Sequence, residues 1–169
     1  MEQGLEEEIE FWEKRKKAII AKTNREYKHQ DFVAIDFKPL GLGCEVAFKK
    51  KSKKEIESSK CAKELCEAAC YATLLLSCGY ATDSYGASKV EMITGYFGGC
   101  FSEQISKDAG IIYVNAKPST KITRSKDYIN VDFSYKIYES HNQKNIASGS
   151  LNISFTYKNI KEKSKKNKN

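Results

Sequence analysis

The chain is poor in arginine, histidine and proline, and it has no long apolar run. Of its 29 basic residues only Arg15, Arg25 and Arg124 are arginine, the others being lysine. Base-reading proteins rely on the bidentate guanidinium fork, which an ammonium cannot imitate, so a formal charge of +7 is weak ground for sequence recognition. No specific nucleic-acid partner is expected. The longest apolar candidate, 68–78, is interrupted by Thr73 and Ser77 and falls short of the roughly 20 residues a membrane helix needs, so no membrane span is expected either. The first residues, MEQGLEEEIEFW, are acidic where a secretory leader is basic, which gives a cytoplasmic location as the expectation. His29 and His141 are the whole histidine supply.

Other features are plentiful. A chain of 169 residues, 40% hydrophobic and 11% aromatic, is long enough for one conventional core without a disulfide or metal. Of six cysteines, Cys61, Cys66, Cys70 and Cys78 fall in one predicted helix, where disulfide geometry is poor, so free and mostly buried thiols are expected. Cys66 and Cys70 stand one turn apart, but no CxxC or histidine accompanies them, and no metal site is expected.

Three regions differ in pattern. Residues 1–31 form a charged helix and linker: 2–13 hold six Glu and no base, 14–28 hold seven bases and one Glu, and Leu5, Ile9, Trp12 and Ile19 or Ile20 make a narrow apolar stripe. This arm either docks on its own domain or a dimer mate, or serves a partner or membrane surface; a stretch this short leaves no room for a helix-turn-helix. Residues 32–157 are the folded domain. Within it, 32–50 alternates in the strand manner around Pro-Leu-Gly-Leu-Gly and reads as a bent strand or a hairpin. From Ser58 or Ser59 to Cys78 the period becomes helical, with a serine cap before it and Gly79 as the closing glycine. That helix is apolar nearly all round, the charged exceptions being Lys63, Glu64 and Glu67, so it must be buried on most sides. About four antiparallel strands follow between Ser88 and Tyr157, the last two joined by a loop at 140–145. Residues 158–169, with six Lys and one Glu, read as a disordered tail.

A single helix, hydrophobic around most of its girth and followed by consecutive antiparallel strands, resembles the hotdog fold. In that α+β fold a curved antiparallel sheet wraps one long central helix; here an extra N-terminal helix would be added. The resemblance covers about residues 32 to 157 and rests on element order, on the Ala- and Cys-rich helix, and on Asn145-Ile-Ala-Ser-Gly-Ser-Leu in the closing strand. Members of this superfamily are acyl-CoA thioesterases, acyl-thioester dehydratases and non-catalytic acyl-CoA-binding domains. The resemblance implies a homodimer, no cofactor, and an acyl-CoA or related thioester as ligand.

Thioesterases of this kind use a helix carboxylate and a His-Gly-Gly at the helix start, where a backbone N–H polarises the thioester carbonyl. Glu67 is the best match for the carboxylate, with Glu64 one turn earlier and Tyr71 one turn later. Ser58, Ser59 and Lys60 stand where His-Gly-Gly would be, which favours binding without hydrolysis. Glu64 and Glu67 read first as solvated carboxylates beside Lys60 and Lys63, and as functional groups only if enclosed by apolar side chains. The expected ligand-binding set is Tyr71, Tyr96, Phe97, Gly98, Gly99, Lys53 and Lys54. The glycines could admit a pantetheine arm or simply bend a strand, and the lysines could meet phosphates or merely be solvated. A third reading makes the chain a protein-interaction module with a vestigial tunnel.

Overall fold

The computed structural model describes residues 2–78, 88–124, 128–139 and 145–159. Gly79, the 140–144 loop with His141, and the chain after Asn159 lie outside the described residues.

Helix α1 (Glu2–Glu26) is followed by β1 (Phe32–Leu40), β2 (Gly43–Lys50), the short β3 (Ile56–Glu57) and helix α2 (Ser58–Cys78). Then come β4 (Ser88–Phe101), the short β5 (Gln104–Ile105), β6 (Ile111–Arg124), β7 (Tyr128–Glu139) and β8 (Asn145–Asn159). The strand pattern at 32–50 is a hairpin. Gly41, at φ 59°, takes the left-handed conformation that closes it. Six strands form one antiparallel sheet in the order β1-β2-β6-β7-β8-β4, and β3 pairs with β5 beside the start of α2. The four long strands expected after the helix are all present, and β8 continues to Asn159, past the expected domain edge at 157.

Period-two alternation decides what faces inward. Val131, Phe133, Tyr135 and Ile137 of β7 are buried, while the residues between them are exposed. They meet Leu151, Ile153 and Phe155 of β8, Val46 and Phe48 of β2, and Ile112 and Val114 of β6 on one concave face. Helix α2 lies across that face, touching β2, β4, β6, β7 and β8. From Ala68 to Leu75 every residue of α2 is buried, so the near-continuous apolar girth predicts its own surroundings. The helix begins at Ser58, one position earlier than a capping serine would sit, so Glu57 occupies the flanking cap position.

The outer side of α2 is covered by the second half of α1. Trp12 meets Phe37 of β1 edge-on at 5.8 Å, Ile19 is fully buried, and Tyr27, just past α1, meets Tyr71 of α2 at 5.4 Å. The Arg15 guanidinium donates to the Leu76 carbonyl at 2.7 Å, satisfying one of the orphan acceptors at the end of α2. The arm therefore docks on its own domain over that half only. Leu5, Ile9 and Phe11, at 60%, 54% and 62% exposure, stand clear of it. No helix among the described residues is long and apolar enough to cross a membrane.

Candidate functional site

Glu67 projects from α2 toward the outermost strand. Its Oε2 accepts a hydrogen bond from the Thr94 hydroxyl of β4 at 2.7 Å. On its other side stands Tyr27, whose phenol is pushed well above its ordinary range by burial first and by the Glu67 charge second. Glu67 is thus half-buried between β4 and the residue just past α1. Glu64 behaves differently: its side chain is 60% exposed, and Oε2 faces His29 Nε2 at 3.4 Å. The two carboxylates of the sequence pattern are separate groups with separate partners. The His29 pairing had no signal in the sequence, because a residue in the linker before β1 reaches α2 only through the fold.

Tyr71 is buried, and its hydroxyl has no hydrogen-bond partner among the described residues. Burial, reinforced by Glu26, holds it strongly protonated. A phenol so enclosed is part of the core before it is part of any open groove.

Tyr96 and Phe97 lie on opposite faces of β4, as adjacent strand residues must. Phe97 pairs in register with buried Leu151 and stacks on Tyr135 at 5.4 Å and on Phe101 at 6.2 Å, making an aromatic row on the concave side. Tyr96, 58% exposed, pairs with Asn152 on the convex side. The glycines have a structural employment. The Tyr135 hydroxyl donates to the Gly98 carbonyl at 3.2 Å and occupies the space a Cβ on Gly99 would need, within 2.1 Å of it. A Cβ on Gly98 would meet the Tyr96 hydroxyl at 2.5 Å. Room for two tyrosine rings and for the facing strand accounts for both positions.

Around the start of α2 lies a groove of about 580 Å³ lined by Ser58, Ser59, Phe101 and Ser102, with Glu55, Glu57 and Glu103 at its edges. Lys53 and Lys54 are exposed and do not line it, so acids stand at the place where phosphate-binding cations would be useful. Lys50, expected with its neighbours to be a solvated or phosphate-facing lysine, is instead buried. It is 7% exposed, and its ammonium donates to the carbonyls of Lys54 and Ser106, the latter at 3.0 Å, fastening two loops beside the groove.

Four thiols, Cys44, Cys61, Cys66 and Cys70, are buried and free, and Cys100 is free and exposed. Burial pushes Cys44 and Cys61 up to about 11 and holds Cys66 and Cys70 well above their ordinary value, which makes all four poor nucleophiles. Cys44 shares a 2.7 Å contact with the Thr73 hydroxyl, a neutral core pairing. No group of side chains suited to a metal ion occurs among the described residues.

Neither a family model nor a curated protein matches the sequence. Solved structures do. A protein from Silicibacter sp. TM1040 proposed to be a thioesterase superposes with a TM-score of 0.56 at 11% identity, over 83% of this chain and 90% of that one. A mutant of thioesterase PA1618 from Pseudomonas aeruginosa matches with a TM-score of 0.49 at 9% identity, over 82% and 94%. The AziG protein of S. sahachiroi matches at 0.48 and 10%, over 72% and 90%. With its antiparallel sheet curved around α2 and the likeness to the Silicibacter protein, the chain is an α+β protein of the hotdog fold.

Proposed function

We propose that the chain binds an acyl thioester, acyl-CoA in the simplest case, without hydrolysing it, and that it does so as a homodimer joined along β4. The observation that carries this reading is the Phe101–Phe97–Tyr135 row, an apolar strip on the concave face at the open border of the sheet beside Glu67 and Thr94. A second copy laid against β4 would roof that strip and complete a tunnel for an acyl chain. Two observations support binding over hydrolysis. Side chains of Ser58 and Ser59 occupy the helix start where a thioesterase would expose bare backbone, and one oxygen of Glu67 is already engaged by Thr94. The acidic groove steers the nucleotide phosphates away from Glu55, Glu57 and Glu103, toward the exposed side that carries Lys53 and Lys54. The Lys-rich sequence also resembles the flagella-coregulated virulence protein of Campylobacter, and a role in regulation rather than metabolism belongs to the same reading.

The test is equilibrium binding to a panel of acyl-CoAs of increasing chain length, with native mass spectrometry for the dimer. Saturable binding without thiol release is expected; no binding at any length would end the proposal. A thioesterase using Glu67 is the second reading, favoured by the half-buried setting of that carboxylate between Thr94 and Tyr27. Thiol release lost in Glu67→Gln but kept in Glu64→Gln would establish it.

A further inference from the structure

A separate cavity of about 220 Å³ lies where the end of α1 and the linker after it meet α2. Its wall is apolar, formed by Phe32, Phe48, Leu65 and Ala68, and none of Glu67, Thr94, Phe97 or Phe101 lines it. Its mouth is polar and carries Glu26, Glu64, Lys28 and His29, with the ring of Tyr27. Among the lining residues two carboxylates stand against the one ammonium of Lys28, and the Lys51 ammonium donates to the His29 carbonyl at 3.2 Å on the exposed surface of the linker. The His29 Nδ1 accepts the Asp31 backbone N–H at 2.9 Å, which assigns the ring hydrogen to Nε2, facing Glu64. The linker is itself held in place: Lys51 N donates to the Asp31 carbonyl at 2.7 Å, and Asn24 clamps both main-chain groups of Ala34. The cavity is therefore walled by ordered backbone. A buried polar group also stands nearby without a partner, since the Tyr71 hydroxyl lacks one and its ring packs on Tyr27.

We propose that this cavity binds a small ammonium carried on an apolar stem, the stem against Phe32, Phe48, Leu65 and Ala68 and the ammonium at Glu64 and Glu26. The chemistry is complementary at each end: apolar wall to carbon, and carboxylates with an aromatic ring to a cation. The size agrees, because an apolar cavity of roughly 150 Å³ holds a benzene ring, so a stem of about five carbons fits. The ammonium has two sources, a free alkylamine or the lysine side chain of another protein.

Isothermal titration or ligand-observed NMR on the full chain would compare pentylamine, pentanoate and a lysine blocked at both backbone ends. Saturable binding of an ammonium with pentanoate excluded is the expected result. Tighter capture of blocked lysine than of pentylamine would support the protein side chain as source, and the reverse order would support the free amine. Glu64→Gln, at an exposed position, should weaken ammonium binding about five-fold. Ala68→Leu should abolish it by filling the wall, with the circular-dichroism melt checking that the variant is folded. No saturable binding of either ammonium, or pentanoate binding as well as pentylamine, would overturn the proposal.

Discussion

The two borders of the sheet are covered differently. Along β1, the Asn24 side chain takes both the N–H and the C=O of Ala34, as a neighbouring strand would, at 2.9 and 2.8 Å. A register shift between Ala34 and Asp36 bends the strand, Lys16 pairs with Asp36 at 2.6 Å, and Lys38 and Pro39 follow. These are the devices by which natural sheets prevent strand addition. Along β4 the border is 14 residues long, carries no lysine between Val90 and Phe101, and exposes Ile93, Tyr96 and Phe101. β4 has its own register shift, between Thr94 and Tyr96, and β1 exposes Ile35 and Leu40, but the side-chain clamp of Asn24 and the Lys16 ion pair cover β1 alone among the described contacts, which supports the proposed pairing along β4. This contrast gives the proposed dimer a physical basis that fold likeness alone does not.

The largest effect should come from charging the open border. Ile93→Lys with Phe101→Lys is expected to cost the dimer about 3 kcal/mol, more than a hundred-fold in dissociation constant, read by light scattering across a dilution series. The matched change on β1, Ile35→Lys, should leave the oligomeric state unaltered; if both shift it equally, the edges are not distinct. Next in size is Asn24→Ala. Removing the clamp leaves two main-chain groups of Ala34 without their partner and should lower stability by about 2 kcal/mol in urea unfolding. Smaller again for each thiol and each pH unit is an alkaline effect on the β1–β2 side of the core. Cys44 and Cys61 stay protonated in the fold up to about 11 while thiols of the unfolded chain ionise near 9.0, so their contribution is complete below pH 9 and is lost as pH rises toward 11. The slope should be about 1 kcal/mol per pH unit per thiol, measured by denaturant titration at pH 8, 9.5 and 11.

The central helix was legible in the sequence because burial on all sides writes itself as an apolar girth, and β7 and β8 were legible because one buried face writes itself as alternation. Pairing order was not. Nothing local in Val90–Phe101 says that this strand crosses to the far border beyond β8 rather than joining the hairpin next to it, since that choice is made by contacts distant in sequence. The candidate site divides along the same line. Glu67 was found by its position on the helix, and Phe97 by its strand. Thr94 as the partner of Glu67, His29 as the partner of Glu64, and Tyr135 as the occupant of the glycine space depend on how elements meet. Glycines such as Gly98 and Gly99 carry one signal for two causes, ligand access and ring packing, and only the neighbours tell them apart.

The buried ammonium of Lys50 has a chemical corollary. Lysines acylate when their amines meet reactive thioesters or anhydrides, and a chain this rich in lysine offers many targets. Lys53 and Lys54, exposed in the loop that follows β2, are open to such labelling in the finished fold, whereas Lys50 is reachable only before its two carbonyl partners close over it. An acyl mark at position 50 would therefore date the encounter to a time before folding was complete, making one lysine a record of the molecule's own history.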